Sequence, residues 1–244
     1  MCLNNFARSD LKLKYSKKDS FTTLTLFSFG KNWYWPFKQM AFSKKNFKEK
    51  NGLEFIRVMG TGGGSGFSLR PDFSTYAILC VWKNKNSSEL FFKSHEMFNT
   101  YIRKSISVRH IEMKAIKSHG FWDRLQPFKN QEINDEIINL PIAVITRATL
   151  NWGMLIQFWK SVPRISKAIQ NAKGVLFFKG IGELPFIQQA TISIWKSNDF
   201  INKFAYRNED HKTVIKKTRQ NNWYKEDLFS RFKVILDSTN KFKK

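Results

Sequence analysis

The sequence predicts an α+β fold in which two tandem ferredoxin-like units, each of the order β-α-β-β-α-β, close into one α+β barrel. The first observation is an internal duplication, because residues 113 positions apart agree in type over a long ungapped stretch. The second is that each copy shows the same order of strands and helices. The third is that an open sheet with one apolar face needs a cover, which the other copy supplies. The matched residues include Trp82 with Trp195, Lys83 with Lys196, Phe91 with Phe204 and Ile102 with Ile215.

In the first unit, residues 21–29 form the first predicted strand because they are rich in β-branched and aromatic side chains. A helix is predicted over residues 35–50, with Pro36 near its first turn, where proline is tolerated. The remaining elements are strands at residues 53–59, 75–82 and 107–116, and a helix from a cap at Asn86 or Ser87 to about residue 104.

The second unit repeats this order. Its first helix, residues 154–170, is expected to be interrupted near Pro163, because a proline inside a helix removes a hydrogen bond. Its second helix is capped by Ser197 or Asn198. Its strands are predicted at residues 142–149, 174–180, 190–195 and 232–236. The chain then divides into a basic tail at 1–20, a first unit at 21–120, a linker at 121–139, a second unit at 140–238 and a basic tail at 239–244.

The composition limits the partners of the protein. The net charge of +23, from 42 basic and 19 acidic residues, favours nucleic acid or an anionic membrane surface, with a lysine-rich solvated face as the alternative. The 24 phenylalanines can accept a large apolar ligand as well as pack against one another.

Two cysteines make no disulfide framework, and the sequence shows neither an apolar leader nor a run of about 20 apolar residues. We expect a cytoplasmic protein that meets the inner face of a membrane only peripherally.

Two signatures of nucleotide and RNA binding are missing. The glycine-rich run at 59–66 lacks the lysine of a phosphate loop, fits no GxGxxG register and links two strands, so it predicts a hairpin loop. The middle strands of the two units, YAILCVW and ATISIW, lack the aromatic signature of RNA-binding sheets. No nucleic-acid partner is therefore expected.

His211 has a distinctive place in the repeat. On an unbroken helix it shares a face with Phe204 and Ile215, and its counterpart in the first unit is Phe98. The second copy thus has an imidazole where the first has a phenyl ring. Two interpretations stay open from the residues alone: a histidine with an ordinary hydrogen-bond partner, or a ligand of haem, whose iron needs only one protein side chain.

The other histidines carry weaker signals. His110 is predicted to be exposed because Arg109 and Glu112 flank it, and His119 is a second candidate site residue. No HExxH and no Cys/His pair with metal-ligand spacing occurs, so the sequence predicts no zinc-type site.

Long ordered motifs resemble the spheroidene monooxygenase family, the carotenoid ketolases of acyclic-carotenoid pathways. In the second unit these motifs are TRATL, FWKSVPRIS, GIGELPFIQQATISIW and residues 205–232. In the first unit they are FGKNWYWPFKQM, RVMGTGGGSGF and YAILCVW, and SHGFWDRLQPF follows it. The resemblance covers most of the chain beyond about the first 20 residues.

The resemblance implies a monooxygenase that uses haem b and O2 to convert a CH2 group near one end of an acyclic carotenoid to a ketone. It implies an electron donor such as a reduced ferredoxin. Other haem proteins built from two ferredoxin-like units carry the axial histidine on a helix of the C-terminal unit, which implies His211 as the iron ligand. Phe204 and Ile215 are implied beside the cofactor. Four residues in the matching motifs are candidates for contacts with the distal side of the haem or with its propionates: Arg70, Arg147, Gln188 and Gln189. Of these, Arg70, Arg147 and Gln189 are the candidate catalytic residues.

Three alternatives stay open at the level of sequence. They are a haem lyase of the aldoxime-dehydratase type, a cofactor-free barrel that binds a ligand, and a basic nucleic-acid binder. The cofactor-free barrel would be colourless when purified, and the nucleic-acid binder would be retained on DNA or RNA in a salt-dependent way. The sequence also leaves a homodimer open.

Overall fold

The fold is given by a computed structural model. It describes residues 20–42, 46–47, 51–64, 68, 70–131, 140–184, 186–207, 218 and 220–242. The strands are β1 (Phe21–Ser28), β2 (Leu53–Gly62), β3 (Pro71–Trp82), β4 (Ser107–Gly120), β5 (Ile142–Leu150), β6 (Val175–Leu184), β7 (Gln188–Trp195) and β8 (Tyr224–Thr239). The helices are α1 (Tyr34–Ala41), α2 (Lys85–Ser94), α3 (Glu96–Lys104), α4 (Leu155–Gln170) and α5 (Asn198–Arg207), and a 3-10 turn, Trp152–Met154, precedes α4.

The eight strands form one closed antiparallel barrel in the order β1-β3-β2-β6-β7-β5-β8-β4. Within it, the first unit has the order β4-β1-β3-β2 and the second the order β8-β5-β7-β6, which is the same arrangement of a β-α-β-β-α-β unit. The units join where β4 pairs with β8 and where β2 pairs with β6. The prediction of two ferredoxin-like units in an α+β barrel is therefore confirmed.

The duplication is visible in the packing as well as in the topology. The Trp82 ring, at the end of β3, lies 4.8 Å from the Phe91 ring on α2. The Trp195 ring, at the end of β7, lies 5.4 Å from the Phe204 ring on α5. Both pairs join a sheet to the helix that follows it, and the two pairs are 113 residues apart.

The inner faces of the two sheets cover each other. Because side chains alternate along a strand, every second residue points into the barrel, where both units contribute buried aliphatic side chains. The outer face of each sheet, which is the face turned toward the helices, has its own apolar clusters. Representative inner residues are Leu24, Leu79 and Ile111 of the first unit and Ile145, Ile192 and Phe232 of the second.

The single helix predicted up to residue 104 is two helices, which is a correction. Asn84, rather than Asn86 or Ser87, caps α2: its side chain accepts a hydrogen bond of 2.9 Å from the Ser87 amide. The chain then leaves the helical region at His95, whose Nδ1 accepts from the Phe98 amide at 3.2 Å and so caps α3. A side chain that caps the next helix stabilises the break.

The helix expected to be interrupted at Pro163 is continuous, which is a second correction. α4 runs through Pro163 for 16 residues, with Phe158, Trp159 and Val162 buried against the second sheet. Burial of these large side chains on one face offsets the hydrogen bond that proline removes. Of the helices that the structure describes, none is both long and apolar enough to cross a bilayer.

Several elements differ in length from the prediction. The first helix ends at Ala41, and residues 43–45 and 48–50 of its predicted span lie outside the described residues. β3 already begins at Pro71, and β8 spans Tyr224–Thr239 rather than residues 232–236. Long-range pairing explains the last difference, because β8 is hydrogen-bonded to β4 on one side and to β5 on the other. Polar residues on such a strand carry no sequence signal of their own.

The described part of the expected linker, residues 121–131, packs into the barrel. Trp122 is fully buried in the inner core, where its ring lies 5.5 Å from the Phe55 ring. Phe128 is also buried there, with its ring 4.9 Å from that of Phe232. The division of the chain at residues 121–139 stays a prediction, but this part contributes to the core of both units.

Replacement of Trp122 by alanine is expected to lower the free energy of unfolding by about 3–5 kcal/mol, because it empties a site at the centre of the barrel core. Urea denaturation followed by circular dichroism measures this change. Leu125→Ala, in the same turn but 53% exposed, is the matched control and should change the unfolding free energy by less than about 0.5 kcal/mol. Equal effects of the two substitutions would contradict the core position of Trp122.

Candidate active site

The pairing registers show which positions of the two sheets are equivalent. In the first unit, Phe21 at the start of β1 pairs with Trp82 at the end of β3. In the second unit, Ile142 at the start of β5 pairs with Trp195 at the end of β7. Both tryptophans are buried on the outer face of their sheets. Positions counted from these two pairs can therefore be compared directly.

The outer faces of the two sheets differ in side-chain volume. Six residues along from the tryptophan pair, the first unit has Phe27 opposite Tyr76, both at most 2% exposed. At the same place the second unit has Ala148 opposite Gln189. One aromatic ring is thus replaced by a methyl group and the other by an amide, and Gln189 is partly exposed.

In the first unit, aromatic rings fill the space between the sheet and its helices. The Phe27 ring lies 5.4 Å from the Phe98 ring and 5.3 Å from the Tyr101 ring, both on α3. Phe27, Phe98 and Tyr101 are fully buried. This face of the first unit is a packed core and has no room for a ligand.

The equivalent face of the second unit is lined by small polar side chains. Thr146 and Thr191 are paired residues of β5 and β7, and their hydroxyl oxygens lie 2.7 Å apart in a hydrogen bond. Both residues are partly exposed, although they lie in the middle of a sheet, whereas Thr25 and Ile78 at the equivalent pair are 1% exposed. We call these two residues and the adjacent Ala148 the threonine face; Ala148 is 8% exposed, because it packs in a cluster with Phe158 and Trp223 at the α4 side.

Apolar side chains border the threonine face on both sides. On the α4 side, Phe158 packs with Trp223 at a ring distance of 6.1 Å. On the α5 side, Phe204 packs on Trp195. Phe229 of β8 pairs with Thr146 and stacks on the exposed His119 ring at 5.3 Å. A planar apolar ligand would therefore meet a floor of small side chains between aromatic borders.

Of the predicted cofactor contacts, Phe204 is on α5 beside this face, and His211 and Ile215 lie outside the described residues. Gln189 is on the outer side of β7, and its Nε2 donates to the Leu184 carbonyl at 3.3 Å. Gln188, one residue earlier, pairs with Thr149. The structure thus brings Phe204 and Gln189 to the outer side of the same sheet.

Arg70 and Arg147 lie elsewhere. Arg70 is exposed at the end of the hairpin loop between β2 and β3, where its carbonyl accepts a hydrogen bond of 2.7 Å from the Gly63 amide. Arg147 belongs to β5, but it is adjacent to the outward-facing Thr146 and Ala148 and so points into the barrel, where it is 3% exposed. The catalytic roles of these residues stay predictions, although neither arginine lies beside Gln189 on the threonine face.

Arg147 is part of an ion-pair network at one end of the barrel, and no sequence pattern predicts this network. Its Nη2 donates to Asp123 at 2.8 Å and its Nη1 donates to Glu226. Arg57 joins Asp123 at 2.8 Å and Glu183 at 2.7 Å. These partners come from β2, β5, β6, β8 and the turn after β4, so no local pattern connects them.

The carboxylates of this network respond differently to their surroundings. Burial raises the pKa of Glu183, although its side chain accepts a hydrogen bond from Trp122 and faces Arg57. Burial also acts on Glu226, but the amides of Arg124 and Asp123 and the Arg147 guanidinium outweigh it and hold the pKa of Glu226 below its ordinary value. Glu226 is therefore the anion that compensates the buried Arg147 charge.

His110, predicted to be exposed, is completely buried, which is a correction. Its Nδ1 is hydrogen-bonded to the Thr25 hydroxyl at 2.8 Å, and its ring packs against Phe92 and Phe242. The cause is that β4 is paired on both sides, with β1 and with β8, so a polar residue on its outer face is covered by α2 and the chain end. Burial lowers the pKa of His110 and favours the neutral imidazole.

Among the described residues, no three His, Cys, Asp or Glu side chains are grouped as a metal site. The site chemistry available from the described residues is therefore a flat face with hydroxyl and amide groups between aromatic rings. Such a face can bind and orient a planar or extended apolar molecule, with Gln189 as a hydrogen-bond partner.

No protein-family model matches the chain. Three proteins named spheroidene monooxygenase are similar to it in sequence. The protein of Cereibacter sphaeroides is 30% identical over 216 residues, which cover 87% of this chain and 66% of that protein. The protein of Rhodobacter capsulatus is 25% identical over 82% of this chain and 83% of its own length, and that of Rubrivivax gelatinosus is 26% identical over 74% and 68%. In sequence the chain resembles the spheroidene monooxygenase family.

The family resemblance predicted from the motifs is therefore confirmed, and the expectation of a monooxygenase agrees with the names of all three relatives. The chain spans slightly less than two thirds of the length of the Cereibacter sphaeroides relative. The duplicated barrel also shares its fold with solved enzymes. An aldoxime dehydratase in complex with butyraldoxime has a TM-score of 0.57 at 9% identity, over 90% of this chain and 81% of that chain. A second aldoxime dehydratase structure has a TM-score of 0.56 at 9% identity, over 88% and 81%.

Stability at acid pH is expected to depend on Glu112, which lies beside His110. Burial opposes its charge, but the His110 imidazole and the Lys241 ammonium lower the pKa of Glu112 to about 2 from an ordinary value of 4.5. A depressed carboxylate pKa stabilises the fold above pH 4.5, and this contribution, on the order of 2–3 kcal/mol, is lost as the pH falls from 4.5 toward 2. Glu112→Gln should flatten this part of the stability profile, measured by urea unfolding between pH 2 and 7.

Glu89→Gln is the control for this substitution, because Glu89 is an exposed residue of the adjacent helix α2. It should leave the acid limb as in the wild type. A Glu112→Gln profile that runs parallel to the wild-type profile through the acid range would show that Glu112 is not held ionised in the fold.

Proposed function

We propose that the protein is an O2-dependent monooxygenase that introduces a keto group into an acyclic or linear-ended carotenoid, with haem b bound over the threonine face. The observation that carries this proposal is the difference between the two copies. Where the first unit packs Phe27 and Tyr76 against its helices, the second has Ala148 and Gln189. The relatives named spheroidene monooxygenase supply the carotenoid as the class of substrate.

The residues on this face fit a flat macrocycle. A porphyrin needs a floor without large side chains, and Thr146, Thr191 and Ala148 form such a floor. It also needs one ligand that faces the floor from the helix side. In the first unit, Phe98 faces Phe27 in this way at 5.4 Å. The counterpart of Phe98 in the repeat is His211. The repeat therefore predicts an imidazole opposite the position where the first unit has the Phe27 ring and the second has Ala148.

The chain's own residues have distinct roles in this proposal. His211 would hold the iron, and Phe204 and Ile215 would line the apolar edge of the haem. Gln189 offers an amide on the same side of the sheet. The Arg231 guanidinium, which lies 5.5 Å from the Phe229 ring and donates to Asn198, is on the same outer face and suits a propionate. The network that holds Arg147 stabilises the same part of β5 from inside the barrel.

When bound, the haem iron supplies the activation of O2, and the protein supplies position and a dry surrounding. The aromatic border formed by Phe158, Trp223 and Phe204 excludes water and suits a polyene. The overall change consumes two O2, four electrons and four protons. Two hydroxylations at one CH2 carbon yield a gem-diol and two waters, and the gem-diol loses a third water to leave the ketone. A donor such as reduced ferredoxin would supply the electrons.

The proposed function is tested with protein expressed with haem supplied. We expect a Soret band in the purified wild type, and conversion of an acyclic carotenoid in detergent micelles to a product with one oxygen more and two hydrogens fewer, with reduced ferredoxin as donor. His211→Ala should lose the band or shift it markedly and lose turnover, because the axial ligand is removed.

The control for this variant is His119→Ala, which removes an exposed imidazole near the same face and should keep the Soret band. Butyraldoxime is the control substrate for lyase chemistry. An unchanged haem spectrum in His211→Ala would reject the ligand assignment, and a colourless wild-type protein that takes up no haemin would reject the proposed function.

The floor of the site is tested by rebuilding the first unit in the second. Ala148→Phe restores the phenyl ring found at Phe27, so it should fill the space over the threonine face and weaken haemin binding by about tenfold or more. Haemin titration followed at the Soret band measures the affinity. Ala148→Ser, which adds one oxygen atom, should bind haemin as the wild type does. Equal affinity of Ala148→Phe and the wild type would place the haem elsewhere.

A further inference from the structure

Three large apolar side chains at the start of α4 are exposed to solvent. Trp152 is 75% exposed, Ile156 is 74% exposed and Phe186, in the turn between β6 and β7, is 46% exposed. We call these three residues the α4 patch. Isolated apolar side chains on a surface need no explanation, but a group of three that includes a tryptophan marks an interaction surface.

The exposed charged residues of α4 are all basic. Lys160, Arg164 and Lys167 are exposed and follow one another at helical spacing along one side of the helix. The helix sequence, LIQFWKSVPRISKAIQ, contains no acidic residue. The α4 segment thus exposes a tryptophan and an isoleucine at one end and basic residues along one side. This combination is typical of helices that lie at the surface of an anionic bilayer.

A groove opens within this surface, between α4 and the β6–β7 turn. Its volume is about 710 Å³, and its walls are almost entirely apolar. Trp159 forms its floor and donates a hydrogen bond of 3.0 Å to the Phe186 carbonyl, which fixes the turn against the helix. Ile187, which also lines the groove, is two residues before Gln189 in the chain. The groove therefore lies next to the strand that carries the proposed site.

The first unit has a similar surface at the other end of the barrel. Trp33, Phe37 and Phe73 are 45%, 49% and 47% exposed, and the Trp33 ring contacts the other two at 6.5 and 5.7 Å. The pairings of β1 with β4, of β4 with β8 and of β8 with β5 are all antiparallel, so β1 and β5 run in opposite directions. The helices that follow β1 and β5 thus start at opposite ends, and a flat membrane can meet only one of the two surfaces.

We propose that the α4 patch is the surface by which this protein docks on an anionic lipid bilayer. Trp152, Ile156 and Phe186 enter the boundary between headgroups and acyl chains, and the basic side of α4 contacts anionic headgroups. A second copy of the chain fits this surface less well, because two such basic helices would repel each other. The groove then faces the bilayer and admits an apolar polyene, a role that rests on the proposed function.

The test is co-sedimentation of the purified full-length protein with vesicles of phosphatidylglycerol and phosphatidylcholine, and with vesicles of phosphatidylcholine alone. We expect binding to the anionic vesicles that weakens with added salt. Trp152→Ser/Ile156→Ser should lower the partition coefficient by about tenfold or more, because two large side chains no longer leave water. The matched control is Trp33→Ser/Phe37→Ser, the equivalent exposed pair of the first unit, which should bind as the wild type does.

The proposal is overturned if Trp152→Ser/Ile156→Ser binds anionic vesicles like the wild type, if the wild type does not bind them, or if the control variant loses as much binding. It is also overturned if analytical ultracentrifugation shows a dimer that this variant disrupts. Haemin binding is measured on the same preparations. A variant that loses vesicle binding but keeps the haemin affinity of the wild type supports the docking surface independently of the proposed chemistry, and a failure of the chemistry leaves the vesicle result standing.

Discussion

Mutual burial of two inner sheet faces is the constraint on which the rest of the structure depends. Each four-stranded sheet has one face of aliphatic side chains, and neither unit could leave that face in water. The units close by pairing β4 with β8 over most of their length, whereas in the described part of the chain β2 pairs with β6 at two positions, Gly60 with Gly182 and Thr61 with Ile181. A side chain at Gly182 would come within 2.8 Å of the Gln188 carbonyl, so β7, the other neighbour of β6, leaves no room for a side chain at this junction residue.

Most of the described interior is filled with apolar side chains, and the threonine face lies on an outer face, between sheet and helices. There the two copies differ. The first unit fills its outer face with Phe27, Tyr76, Phe98 and Tyr101 and so gains a second core. The second unit has small hydroxyl and methyl groups at the equivalent sheet positions. Duplication allows one copy to supply stability while the other is available for function, and the threonine face is where that difference is largest.

The segment after β4 connects the core to this functional sheet. Trp122 enters the barrel, and the following residues Asp123 and Arg124 have φ values of 52° and 63°, a left-handed conformation that costs free energy in non-glycine residues. Both of their amides donate to the Glu226 carboxylate at 2.8 Å, which compensates that cost. The same carboxylate receives Arg147. The turn, β5 and β8 are thus held together at the end of the sheet that carries the proposed site.

The sequence by itself determined the duplication, the α+β barrel and the place of His211 in the repeat, because these appear as residue types at fixed spacing along the chain. Its motifs also indicated the family resemblance. It also indicated Phe204 and Gln189, which the structure brings to one side of the second sheet. Only the tertiary structure decided that Arg147 faces inward to Asp123 and Glu226, that His110 is buried, and that Ala148 stands where the first unit has Phe27. Each of these positions depends on which strands are neighbours in the sheet and on which face of the sheet the side chain lies. Pairing between segments far apart in the chain determines both the neighbours and the faces.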